Sequence, residues 1–271
     1  MTGMTLRDAA GTPHQLAAPD ARIVSLVPSI TELLCDLGLA GQLVGRTGFC
    51  IHPRALVRAI PKLGGTKDVD IEALRALAPS HVILNIDENE KPLAAALAQF
   101  VPHLVVTHPL GPLDNPPLYR LIGGIFGRKE QAEVLCRRFD AAMAGLQARR
   151  GRFAPERVLY LIWKNPWMTV ARDTYISATL ALVNWQTLPL EAALRYPTLR
   201  FDETWIGDVD RVLLSSEPYR FQHKHCAEIG AIVTLAGKPV DLVDGEMTSW
   251  YGSRAIAAIG YLAGLRLNTL Q

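Results

Sequence analysis

Several kinds of signal are missing from this sequence. The first twenty residues, MTGMTLRDAAGTPHQLAAPD, have neither a basic start nor the roughly 7–15-residue apolar stretch of a secretory leader, so no export is expected from them. No apolar run approaches the roughly 18–20 uncharged residues of a membrane-spanning helix, which excludes an integral membrane protein. The four cysteines, Cys35, Cys50, Cys136 and Cys226, lie far apart without a CxxC or zinc-ligand spacing. Free thiols suited to a reducing compartment are expected. Charge of either sign is nearly balanced, with 28 Lys and Arg against 26 Asp and Glu, and the only basic cluster is Arg149, Arg150 and Arg152. That is too little for a nucleic-acid footprint. Tryptophan is absent from the first half; all five (Trp163, Trp167, Trp185, Trp205, Trp250) fall in the second.

What is present reads as α/β. At 271 residues and 49 % hydrophobic, the chain can bury one large core or two smaller ones. Residues 5–18 carry turn signals around Gly11 and Pro13 and predict a small hairpin. A buried strand over 22–27 leads into a helix to about Gly38, with Ser29 and Glu32 at capping-box spacing. Helical spacing of Ile71, Leu74 and Leu77 precedes Pro79 and a strand over 81–85, and 101–107 is a further β-branched run. A shorter helix over 118–126 ends at Gly127. A long amphipathic helix follows over 129–150, with Ala132, Leu135, Cys136, Phe139, Met143 and Leu146 on one face and a length of roughly 30 Å. The second half repeats the pattern: a strand over 157–163, helices over 175–183 and 202–209, a strand over 211–215 and a closing helix over 249–265. Residues 201–215 align loosely with 71–85. The expectation is two Rossmann-like lobes with largely parallel sheets, residues 1–127 and 151–271, joined by one bridging helix over 128–150, with ligand chemistry at strand ends facing a cleft.

DARIVSLVPSITELLCDLGL (residues 20–39) and IPKLGGTKDVDIEALRALAPSHVILN (60–85) resemble the class III periplasmic substrate-binding proteins, which deliver cobalamin, haem and iron-siderophore chelates to ABC importers. WKNPWMTV (163–170), LLSSEPYRFQHKH (213–225) and SWYGSRA (249–255) are similar to the cobalamin-binding or helical-backbone metal receptor subgroup. The resemblance implies a monomer with no intrinsic cofactor that takes cobalamin or another metal chelate as ligand, with an ABC permease as partner. It implies a periplasmic address, whereas the missing leader leaves a cytoplasmic one as the alternative. Trp163, Lys164, Trp167 and Met168 are implied at the ligand. Glu72 and Glu203, in the paired helix-strand segments, are carried over as acids that dock onto permease arginines.

Other candidates come from residue chemistry. Aromatic faces hold a flat corrin or porphyrin well, and Trp167 and Trp250 lie beside turn-forming Pro166 and Gly252. Trp185 and Trp205, in or beside helical segments, read as core. Cys50 and His52, two apart on an extended segment, point to opposite faces and do not grip one metal together. His52 alone is a candidate axial ligand, against the commoner structural role. His223, His225 and Cys226 cluster locally but do not share a helix face, so a bare metal site is not expected. Gly64-Gly65-Thr66-Lys67 lacks phosphate-loop spacing; it is a tight turn or, with Lys67, a cradle for an anionic edge. Asn89 and Glu90, after a strand, are candidates to accept from chelate amides, or belong to a solvated loop. Trp250, Tyr251 and Arg254 open the last helix, where an anion is favoured and Arg254 can add a bidentate contact. No G-x-S-x-G elbow or close carboxylate-His pair occurs, so no enzyme is expected. A cytosolic corrinoid-handling or sensing protein is the alternative, and a chelatase-like or hydrolytic activity a more distant one.

Overall fold

A computed structural model describes residues 6–269. The chain divides into two compact units. The first takes the described residues up to Pro109 with Leu113–Phe139 and Tyr251–Arg254; the second takes Leu110–Pro112, Asp140–Trp250 and the described residues from Ala255 on.

In the first unit an antiparallel pair, β1 (Leu6–Arg7) and β2 (Pro13–His14), precedes the sheet; Thr5, the start of the predicted hairpin, lies outside the described residues. The elements then run β3 (Ile23–Ser25), α1 (Pro28–Asp36), β4 (Leu43–Arg46), α2 (Arg54–Val57), α3 (Ile71–Ala76), β5 (His81–Asn85), α4 (Lys91–Leu97), β6 (His103–Thr107), α5 (Asn115–Ile125) and α6 (Lys129–Arg150). The sheet has the order β4-β3-β5-β6 and every pairing is parallel. All five residues of β5 are buried, as expected for a parallel strand covered on both faces. Val24, Val82 and Leu84 from the strands and Leu26 just past β3 meet Leu74, Leu93 and Leu97 from the helices in one core. Asp70 caps α3 by accepting the Ala73 N–H.

The second unit contains β7 (Glu156–Leu161), α7 (Tyr175–Ala181), β8 (Trp185–Thr187), a 3-10 turn at Thr204–Asp208, β9 (Arg211–Ser215), α8 (His223–Gly230), β10 (Val240–Val243), α9 (Gly245–Ser249) and most of α10 (Arg254–Asn268). Its sheet has the order β10-β9-β7-β8, again all parallel. In both sheets the first strand of the unit pairs with the second and the third, and the fourth lies outside the third. The loose alignment of 201–215 with 71–85 therefore has a structural basis: β9 and β5 hold the same place in their sheets. The 22-residue α6 starts in the first unit and ends in the second. Its Ala132, Leu135, Cys136, Phe139 and Leu146 are buried, on the face that their spacing predicts.

Four local expectations are corrected. Ser29 and Glu32 form no capping box: α1 begins at Pro28, the apolar side chain of its N-cap Val27 makes no capping hydrogen bond, and the Glu32 carboxylate is held by Arg254. Trp185 is core as expected, fully buried, but lies on strand β8 rather than in a helix, and its Nε1–H donates to Glu156 at 2.8 Å. Residues 202–209 make only the 3-10 turn. The closing helix is two helices, because Trp250 adopts an extended conformation at the end of α9 and Gly252 sits at φ +79°, so α10 starts at Arg254.

Candidate functional site

Parallel topology places the loops that leave the carboxyl ends of one sheet's strands along a common edge, where ligands of α/β folds bind.

In the first unit the edge consists of 47–53 after β4, the turn 64–69 and 86–90 after β5. Arg46 pairs with Lys62 beside the end of β4, and Gly64 bridges back to Val69. Gly64 has φ +90°, and a Cβ there would lie 2.2 Å from the Asp68 carbonyl oxygen, so glycine is required for the turn. The Gly64 carbonyl accepts from Gly48 N–H at 2.7 Å. Asn89 locks the assembly: its Oδ1 accepts Asn85 N–H at 2.9 Å, and its Nδ2 donates to the carbonyls of Thr66 at 2.9 Å and Leu26 at 3.4 Å. Three apolar side chains on these loops are exposed, Phe49 (63 %), Ile51 and Ile86 (50 % each).

In the second unit the edge consists of 162–170 after β7, 188–195 after β8, 216–222 after β9 and 244 onward after β10. Residues 163–168 fold back as a tight hairpin in which Met168 N–H donates to the Trp163 carbonyl at 3.1 Å, and Met168 also pairs with Thr198. Trp167 stacks on Phe221 at 6.0 Å and meets Phe201 edge-on at 5.3 Å. Trp163, 39 % exposed, meets Tyr219 edge-on at 5.7 Å. Lys164 pairs with Glu228 at 2.5 Å, with its ammonium 5.4 Å from the Trp167 ring centre. Leu190 and Leu194, on the loop after β8, are 57 % and 66 % exposed. Two carboxyl-edge surfaces thus present large apolar side chains to solvent, one in each unit.

The sequence-predicted residues fall into three groups. Trp163, Lys164, Trp167 and Met168 are brought together on one hairpin, among Phe201, Tyr219 and Phe221. His52, Lys67 and Glu90 lie on the first unit's edge, Lys67 and Glu90 exposed and His52 half-buried. Most of the rest are taken up internally. Cys50 is fully buried, with its Sγ 3.1 Å from Thr47 Oγ1, and burial pushes its thiol pKa up. Asn89 serves the clamp. Trp250 and Tyr251 are buried, and the Tyr251 hydroxyl donates to Glu88 at 2.6 Å; burial and the Glu88 carboxylate raise its pKa. Arg254 is neutralised by Glu32 within the first unit. Glu72 is exposed on the first turn of α3, 3.8 Å from Arg75. Glu203 accepts from Arg200 N–H and from Trp205 Nε1–H, both at 2.7 Å. His223 and His225 both lie on α8, with His223 exposed and His225 buried.

Phe49, Ile51, Ile86, Leu190, Leu194, Phe201, Tyr219 and Phe221 were not singled out from the sequence. A lone apolar residue in a polar loop is a weak signal. The alternation of Tyr219 and Phe221 around Arg220 after Pro218 is a local pattern that could signal those two.

The family model for periplasmic binding proteins matches residues 23–192. The chain belongs to the periplasmic binding protein family. A vitamin B12-binding protein from Photorhabdus laumondii is 19 % identical over 202 residues, 74 % of this chain and 73 % of that protein. Among solved structures, the periplasmic vitamin B12 binding protein of Vibrio cholerae superposes with a TM-score of 0.78 at 16 % identity, covering 92 % of this chain and 98 % of the other. The periplasmic haem-binding protein of Roseiflexus sp. RS-1 gives 0.77 at 20 %, covering 93 % and 99 %. That of Vibrio cholerae gives 0.76 at 22 %, covering 91 % and 98 %. At these identities the likenesses establish a shared fold. Among the described residues no helix is long and apolar enough to cross a membrane.

Proposed function

We propose that this chain is a substrate-binding protein, not an enzyme, that captures a metal chelate of the cobalamin or haem class and passes it to an ABC-type importer. The observation that carries this reading is the exposed apolar set on the carboxyl-edge loops of each unit. A corrin or porphyrin has a broad apolar face that water solvates poorly, and aromatic and branched side chains on a fixed scaffold bind such a face at low entropic cost. The vitamin B12- and haem-binding proteins to which the chain is similar support the ligand class. His52, Lys67 and Glu90 in the first unit, and Trp163, Lys164, Trp167 and Met168 in the second, are the polar and aromatic groups proposed to orient the ligand. Glu72 and Glu203, which precede the equivalent strands β5 and β9, are proposed to meet the importer.

Titration with cyanocobalamin, haemin and a ferric siderophore, followed by visible absorbance and tryptophan quenching, tests the reading. Saturable binding of at least one, with a dissociation constant of about 1 µM or below, is expected. Absence of a response to all three overturns it.

A further inference from the structure

His225 lies in the first turn of α8 with its ring buried. Its Nδ1 accepts the backbone N–H of Gln222 at 2.8 Å. A backbone amide only donates, so Nδ1 holds the lone pair and the neutral ring carries its proton on Nε2. Nε2 faces the Tyr219 hydroxyl at 3.4 Å, so the imidazole donates and the phenol oxygen accepts. Phe221, at 5.4 Å and 89°, and Tyr219, at 5.6 Å and 70°, fix the plane of the ring. With an oxygen lone pair committed to His225, the phenol keeps its own O–H to give, and no other hydrogen bond engages it among the described residues. Tyr219 is half-buried on the loop after β9, beside exposed Trp163.

We propose that the Tyr219 O–H is an oriented hydrogen-bond donor to an oxygen acceptor on the rim of the bound chelate, a carboxylate or an amide carbonyl, and that His225 is its positioning residue. This deepens the chelate-binding reading and rests on it. The polar tip of Tyr219 adds what the apolar surface lacks, a directional contact that sets the rotation of a flat ligand. His225 restricts the donor's direction in advance, which lowers the ordering cost on binding.

The test is a titration of haemin and cyanocobalamin into the wild-type protein, Tyr219→Phe, His225→Asn and the double variant. The asparagine retains a short side-chain oxygen for the Gln222 N–H but places nothing at the Nε2 position. Tyr219→Phe is expected to weaken whichever chelate binds by roughly 5–20-fold, the scale of one lost hydrogen bond. His225→Asn is expected to lose roughly 3–10-fold in the wild-type background and nothing further in Tyr219→Phe, the coupling that a positioning role requires. Equal losses in both backgrounds, or unchanged binding in Tyr219→Phe, overturn the proposal while leaving the chelate reading intact. Shifted iron bands of bound haemin in Tyr219→Phe put the phenol on the metal and also overturn it. Wild-type protein that binds neither probe overturns the proposal; if it also fails with the ferric siderophore, the chelate reading falls as well.

Discussion

The Arg254 guanidinium closes a two-pronged ion pair on the Glu32 carboxylate, 222 residues away in sequence, with both contacts at 2.8 Å. Both side chains are largely buried. Removing one partner leaves the other charged in a poorly solvated place, so Glu32→Ala or Arg254→Ala is expected to lower stability by about 2–4 kcal/mol. Equilibrium urea unfolding checks this. Because the guanidinium is already neutralised, chelate affinity of folded Arg254→Ala is expected to stay within about twofold of wild type. A tenfold loss would restore Arg254 to the ligand.

That pair also marks where the sequence stopped being legible. The strand at 81–85, the helix at 129–150 and the similarity of 201–215 to 71–85 follow from local periodicity and could be read directly. The identical strand orders could not, since pairing joins residues far apart in the chain. The hairpin of Trp163 and Trp167 is signalled by Pro166. Its partners Tyr219 and Phe221 arrive only because β9 pairs with β7. Trp250, Tyr251 and Arg254 had the look of an exposed helix start, yet Tyr251–Arg254 pack with the first unit, and nothing near residue 254 in the sequence announces Glu32.

Asn89 holds three segments of the first unit's edge with one amide. Asn89→Asp keeps the acceptor for Asn85 N–H but replaces the donor with a carboxylate facing the Thr66 and Leu26 carbonyls. It is expected to cost about 2 kcal/mol or more and to raise amide exchange in residues 64–69. Hydrogen exchange unchanged in that turn would show that the glycines alone maintain it.

Burial, and then the neighbouring His103 and His14, hold the His81 imidazole down from 6.5 to about 4. The unfolded chain therefore takes up a proton, as pH falls from 6.5 towards 4, that the folded chain refuses. Stability is whole above this window and declines through it, by about 3 kcal/mol in total from this one group. Urea unfolding of wild type and His81→Gln at pH 7.0 and about pH 4.5 is expected to give a smaller pH difference in the variant. An unchanged difference would assign the acid sensitivity elsewhere.

Phe49 and Trp163 each expose part of an aromatic ring, one in each unit. Each presents a large ring at the carboxyl edge of its sheet, but Phe49 is 63 % exposed and Trp163 39 %, so truncation removes little buried area at Phe49 and considerably more at Trp163. Phe49→Ala is expected to leave stability within about 0.5 kcal/mol of wild type. Trp163→Ala gives up a side chain that is mostly covered and its edge contact with Tyr219, so about 2–4 kcal/mol is expected there. Binding has the opposite balance, because a ring that covers a chelate face is dehydrated only in the complex. Each variant is expected to weaken chelate binding about tenfold or more, as aromatic anchors do in other interfaces. Titration and urea unfolding of the same preparations separate the two effects. Full affinity in both variants would move the ligand away from these edges, whereas a loss in Trp163→Ala alone would place the binding energy chiefly in the second unit.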